Sequence, residues 1–415
     1  MAKSSKSGTD SNIFVPDSRK AWMRLAVAVL IGSIGSVGMW SVVVALPAVQ
    51  TEFSASRGAT SLAFTMVMAG FGLGGVVTGR IMDRFGIVTA IGIGIAVMGL
   101  GYVGIGQASA LWQLVLLHLT VGLGSSATFG PLMTEASYWF ERYRGVAVTI
   151  AASGNYVGGA IWPPLLNWGM QTSGWRATHV AVGIFVTIAM TVATLVLRSQ
   201  MGRGAQAVRA NPPAPRVDLQ MSGNALTFML GLAAVACCVA MAMPQVHIVA
   251  YCGDLGYGAA RGAEMLSLML GFGIISRIGS GFLADRIGGL RTLLVGSIAQ
   301  GTALMLFLFF DSVTSLYVIS ALFGLFQGGI VPSYAIIVRE SMPAREAATR
   351  VGIVIMASVV GMSFGGWVSG VIFDATGSYA AAFVNGVAWN ALNITIVVAL
   401  LLRARQRLRL SARPT

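Results

Sequence analysis

Charge is scarce in this chain. Of its 415 residues only 10% are Asp, Glu, Lys or Arg, against roughly 25% in an ordinary soluble domain. Acids are the scarcer sign, 14 against 27 Lys and Arg, and none falls deep in an apolar run. Histidine and cysteine occur three times each. Cys237 and Cys238 are adjacent and Cys252 follows in the same run, a spacing that excludes a disulfide framework and a metal-ligand pattern. No nucleophile–base constellation is legible, so neither an enzyme nor a cofactor is expected. The stretch GFGLGG (70–75) formally fits G-x-G-x-x-G, but it lies inside an apolar run and not at a strand–helix turn, which removes the dinucleotide reading.

Apolar residues are abundant, at 56%. They form runs near 22–48, 58–80, 87–106, 110–138, 145–169, 176–198, 222–252, 259–283, 290–310, 314–339, 347–372 and 379–402. A bilayer core takes about 20 apolar residues of helix, so each run can cross one. The expectation is an all-α membrane protein of twelve transmembrane helices. The first 20 residues are polar and read as a tail, not as a cleaved leader. Segment 199–221 is polar and holds Pro212, Pro213 and Pro215, the composition of a connector. The expected layout is a tail (1–21), a six-helix bundle (22–198), a linker (199–221), a second six-helix bundle (222–403) and a tail (404–415).

The basic residues orient these spans. Twenty-three of 27 fall in the tails, the linker and alternate loops; Arg57, Arg176 and Arg261 fall in the opposite loops, and Arg277 lies within a span. The positive-inside rule places both termini in the cytoplasm. The net charge of +13 is thus a matter of topology, and its dispersal speaks against a nucleic-acid partner. The plasma (inner) membrane of a bacterium is the expected location, with the chain working as a monomer in the lipid bilayer.

The two halves resemble each other. TGRIMDRFG (78–86) returns as SGFLADRIGG (280–289), and SGW (173–175) is answered by TGS (376–378). Such parallel repeats hold their substrate between the halves near the midplane.

Twelve spans, a central linker and G-x-[LI]-x-D-R-x-G after the second span of each half resemble the major facilitator superfamily, from about residue 22 to 403. The stretch YWFERYRGVAVTIAASGNYVGGAIWPPLLNW, the segment VHIVAYCGDLGY and the lone span-8 arginine are similar to its monocarboxylate and oxalate/formate porter branch. The chain departs from that branch at Gly273, where the animal carriers have an Asp one helical turn before the arginine. It departs again in the eleventh span, which lacks the exchanger's lysine. The resemblance implies that Asp83, Arg84, Asp285 and Arg286 latch the cytoplasmic gate in one access state and release it in the other.

Arg277 carries most of the functional expectation. An arginine at mid-bilayer costs about 2.5–3.5 kcal/mol and needs a cavity or partner. Its planar fork fits a carboxylate. With no deep acid to pair with, a diffusible anion is the expected partner. Asn155 and Trp162, seven residues apart on one helical face, are candidates for the rest of the site, with His247, Gln327 and Tyr251; Tyr156 and Gln245 are weaker ones. His247 and His118 are the candidate proton carriers, because histidine titrates nearest neutrality; His179 reads as structural. Together these readings predict a secondary transporter of small organic anions, a monocarboxylate above all, by proton symport and alternating access. The alternatives are a carboxylate exchanger or a proton-driven drug efflux pump. The pump would be expected to carry a deep acid.

Overall fold

The computed structural model describes residues 16–199 and 221–411. Most of the expected linker and tails lies outside the described residues, which are helical apart from short connections and hold no strand. The first half runs α1 (Arg19–Gly35), α2 (Val37–Glu52), α3 (Arg57–Phe85), α4 (Ile87–Gln107), α5 (Leu111–Ser126), α6 (Gly130–Trp139) and α7 (Arg144–Ser199). The second runs α8 (Gly223–Asp254), α9 (Ala259–Ile287), α10 (Gly289–Phe309), α11 (Val313–Gln327), α12 (Ile330–Ser341), α13 (Ala344–Thr376) and α14 (Tyr379–Ser411).

Among the described residues, eleven stretches are long and apolar enough to cross a membrane. Two adjoining pairs, α1–α2 and α5–α6, each count as one, bent at Ser36 and at 127–129. The stretch Val146–Arg198 has 53 residues. At 1.5 Å per residue that is about 80 Å of helix, far beyond a hydrocarbon core of about 30 Å. It breaks at Gly174 (φ 78°, ψ 160°), within the SGW motif, into two arms. The proline pair Pro163–Pro164 and the lone Pro244 leave α7 and α8 helical.

The repeat around the motif is carried by the backbone. Helices α3 and α9 both have 29 residues, α4 and α10 both 21, and each second copy starts 202 residues after the first. Each motif ends in the same turn: Gly86 (φ 83°, ψ 166°) and Gly288 (φ 82°, ψ 160°) donate to Met82 O and Ala284 O, both at 2.8 Å. Only glycine holds that conformation without strain. By that offset the first-half counterpart of Arg277 is Gly75, and a Cβ there would meet nothing within 4 Å.

Polar contacts define two faces. At the terminal face Arg24 pairs with Glu135 and donates to Leu197 O (2.9 Å), while Asp17 accepts from the 141–143 backbone. Arg350 there joins Glu346, Asn224 and Thr227. At the distal face Glu52 binds Trp175 and Arg176, and Arg176 reaches Ala108 O.

Two antiparallel seams join the halves. Along α3 and α13, Gly58 N–H meets Asp374 (2.6 Å), Thr65 and Ser363 exchange hydroxyl-to-carbonyl bonds (3.0 and 3.3 Å), and Gly72 lies against Met356. Along α7 and α9, Ser267 donates to Ala160 O, Gly273 abuts Tyr156, and Arg277 reaches Ala152 O. Between described residues no hydrogen bond or ion pair joins the halves on the terminal side of these contacts. The molecule is clasped at its distal face, and the clasp gives out at the level of Arg277.

Candidate functional site

Arg277 sits ten residues before the end of α9, about 15 Å from the terminal face at helical rise. It is 8% exposed. Nη1 donates to Ala152 O on α7 (3.1 Å) and Nε to Gly328 O (3.4 Å), in the bend between α11 and α12. The guanidinium carbon lies 4.2 Å from the centroid of the Tyr156 ring, on α7. That stack is worth about 2 kcal/mol when desolvated, enough to offset much of the burial cost. Arg277 has no ion pair with any described residue. Nη2 makes no hydrogen bond with any described residue, yet it is not among the fully buried atoms that lack a partner. One edge of a buried fork is therefore unspent.

Small residues permit this arrangement. A Cβ at Gly273, one turn before Arg277, would overlap the Tyr156 ring. The aromatic ring fills the place where a side chain on α9 would otherwise sit beside the guanidinium.

Other unsatisfied groups occur at neighbouring positions. Gln245 Nε2 donates to Gln327 Oε1 (2.9 Å), which leaves the Gln327 amide hydrogens buried without an acceptor, next in sequence to Gly328. Asn155, next to Tyr156, turns its amide nitrogen to the Met39 sulfur (3.4 Å), and its oxygen is buried and unpartnered. Trp40 Nε1, at the α2–α7–α9 junction beside Gly159 and Leu270, also lacks an acceptor. Trp162 is committed elsewhere: its indole donates to Ser33 O (2.8 Å) and braces α1.

The histidines separate. His118 and His179 lie in the first-half core, rings 6.1 Å apart, each bonding the carbonyl four residues earlier (2.7 Å). Neither touches Arg277. His247 is fully buried in α8 toward the distal face, with Nε2 2.8 Å from Gly366 O and Nδ1 3.4 Å from the Tyr379 hydroxyl. Tyr251 packs edge-on against Tyr379 (5.3 Å). Of the residues singled out in the sequence, Arg277, Gln327 and Asn155 occupy the level where the seams end. His247 and Tyr251 belong to a distal cluster.

The centre of that cluster is Arg57, in sequence one of the three basic residues on the minority side. It is 6% exposed. It binds Asp254 with both Nη atoms (2.8 and 3.2 Å), donates to the Tyr379 hydroxyl, and lies 4.5 Å from the Phe373 ring. Asp374 accepts the N–H groups of Arg57 (2.8 Å) and Gly58 (2.6 Å), capping α3 from across the seam. Arg57, from the first half, is thus held by three helices of the second. A cavity of about 410 Å³, lined by Pro47, Gln50, Arg57 and Asp254 among others, opens over this clasp. By contrast Asp83, Arg84, Asp285 and Arg286 at the terminal face are exposed and make no ion pair with any described residue.

A helical bundle with repeated halves, clasped at one face and holding an arginine where the clasp ends, has the architecture of a transporter. The chain belongs to the Major Facilitator Superfamily, whose model matches residues 28–315 and 265–414. It is 28% identical to Monocarboxylate transporter 13 of Rattus norvegicus over 67% of this chain and 65% of that one, so the match spans just under two thirds of the relative. It is 24% identical to Agnestins efflux protein AgnL12 of Paecilomyces divaricatus over 70% and 67%. Among solved structures, a bacterial homologue of the human lysosomal transporter Spinster superimposes with a TM-score of 0.69, covering 94% of this chain and 96% of that one at 15% identity. That likeness is one of fold. The chain is a multi-pass membrane transporter and not an enzyme.

Proposed function

We propose that the protein carries small organic anions, monocarboxylates above all, by proton symport and alternating access, with the carboxylate on Arg277. The observation that carries this reading is the unspent edge of the Arg277 fork. It lies where the seams between the halves end, and no carboxylate among the described residues neutralises it. The Gln327 amide and Asn155 would complete the site, with Tyr156 fixing the plane of the guanidinium. Similarity to a monocarboxylate transporter supports the substrate class.

The two arms of α7 would give twelve crossings, in two six-helix bundles, with the terminal face in the cytoplasm of a bacterium and the chain acting as a monomer. The structure then corresponds to the inward-open state, with the Arg57 clasp as the closed outer gate. Asp83, Arg84, Asp285 and Arg286 would pair only when the inner side shuts.

A carboxylate exchanger would use the same Arg277 site. The efflux-named fungal relative keeps a drug-pump reading in view, but a pump for cations needs a deep acid. Among the described residues the most buried acid paired with an arginine is Glu135, and Arg24 already holds it at the terminal face. The test is uptake of labelled lactate- or pyruvate-sized acids into proteoliposomes. A pH gradient should drive it, and Arg277→Ala should abolish it. Uptake indifferent to the gradient would favour exchange, and uptake unchanged in Arg277→Ala would sink the site.

A further inference from the structure

The distal clasp and the buried histidine share one hydrogen-bond chain. Its direction follows from what each atom can do. Gly366 O only accepts, so His247 Nε2 carries the ring hydrogen. Arg57 Nη1 only donates, so the Tyr379 oxygen accepts from it. The Tyr379 hydroxyl hydrogen is then free to point at His247 Nδ1, 3.4 Å away, a stretched bond to a neutral nitrogen. The chain reads Arg57 to Tyr379 to His247 to Gly366, and it is complete only when His247 is neutral.

We propose that Tyr379 is the coupling residue of the outer gate: it holds Arg57 closed while His247 is unprotonated and releases it when His247 takes a proton. A proton on Nδ1 turns that nitrogen into a donor. The Tyr379 oxygen then faces two cationic donors, and its own hydrogen loses its acceptor. The other charged and titratable groups around the ring do not relieve this. Asp254, on α8, is spent on both Nη atoms of Arg57. Asp374, on α13, is spent on the N-terminal N–H groups of α3. Tyr251 meets Tyr379 in a T-shaped ring contact. The closed clasp and the imidazolium therefore exclude each other, and by linkage a closing gate drives the proton off.

For the transport cycle proposed above, on which this inference rests, that sign suits symport. The open outer gate favours proton uptake, and the closed one favours release to the other side. Two residues earlier on α8, Gln245 bonds Gln327, next to the carbonyl that Arg277 holds.

The test reads the gate and not transport. Ser61 is fully buried in the α3–α13 seam, against Gly370. In Ser61→Cys protein, labelling by a membrane-impermeant maleimide reports opening of the outer seam, after subtraction of labelling at the three native cysteines. One linked proton raises the open fraction by up to about tenfold per unit fall in pH. Labelling should show that rise. His247→Gln, whose amide can still accept from Tyr379, should stay slow and flat with pH. Tyr379→Phe should label fast at every pH. A pH-dependent rise that survives in both variants, or a flat profile in the parent, would overturn the proposal. Size-exclusion profiles of each detergent-purified variant identify misfolding, and the two variants fail in opposite directions if the chain is real. Since no substrate is added, a wrong substrate assignment leaves this readout intact.

Discussion

Arg57 and Asp254, 197 residues apart, meet through two nitrogen–oxygen contacts of 2.8 and 3.2 Å and fasten the first half of the chain to the second at the distal face. The pair differs from an ordinary surface bridge because the arginine is 6% exposed, with Phe373 against its face and Tyr379 on one nitrogen. Asp254 keeps partial access to solvent, which discounts its share. Asp254→Ala should weaken closure by about 1–2 kcal/mol, or roughly five- to thirtyfold in the open-to-closed ratio. Spin labels at Ser56 and Ala375, both exposed beside the clasp, should then show a longer-distance population. An unchanged distance distribution would remove Asp254 from the gate.

Gly273 and Tyr156 form a second dependent pair. A methyl at Gly273 overlaps the ring that stacks on Arg277. Gly273→Ala should cost about 1–3 kcal/mol through overpacking. Adding Tyr156→Ala should make the same methyl nearly silent. A double-mutant cycle of melting temperatures measures the coupling, and additive losses would show that the two sites do not touch.

The turns at Gly86 and Gly288 share one backbone conformation, with φ of 83° and 82°. Alanine at either should cost about 1–3 kcal/mol of backbone strain. The falls in melting temperature should be similar, because the repeat builds both turns alike. A loss at one and none at the other would contradict that equivalence.

Asp17 predicts a pH effect at the terminal face. Burial pushes its carboxyl up, but the N–H groups of Arg142, Tyr143 and Glu141 outweigh this and hold it below the usual carboxylate range. A depressed pKa means that the tether is present above the ordinary carboxylate value and lost as pH falls through the lowered one. Hydrogen-exchange protection at residues 141–143, corrected for intrinsic rate, should decline in acid. Asp17→Asn should make the corrected profile flat.

The sequence displayed the spans and the repeat because both rest on local properties, apolar length and a motif of nine or ten residues. The 202-residue offset needed only two copies of that motif. Arg277 was legible for a related reason: a lone charge in an apolar run is conspicuous without a partner. Arg57 was not, because its partners Asp254, Asp374 and Tyr379 lie 197, 317 and 322 residues away, and no period links them. One signal was present: Arg57 stood among three basic residues on the minority side of the charge rule. Asn155 and Trp162 share a helical face, yet Asn155 turns to Met39 and Trp162 to Ser33. Periodicity gives the face of a helix, and the neighbour that meets each residue comes from packing.

The central claim is that Arg277 holds a carboxylate by its fork. The most direct measurement is the affinity of the detergent-purified protein for small monocarboxylates, read by thermal shift, in wild type and in Arg277→Lys. Lysine keeps the charge and loses the planar pair of donors. A hydrogen bond to a charged group is worth about 1.5–3 kcal/mol, so Arg277→Lys should weaken binding by roughly ten- to a hundredfold while the unliganded melting temperature changes little. Binding of equal strength in the two proteins would contradict the account.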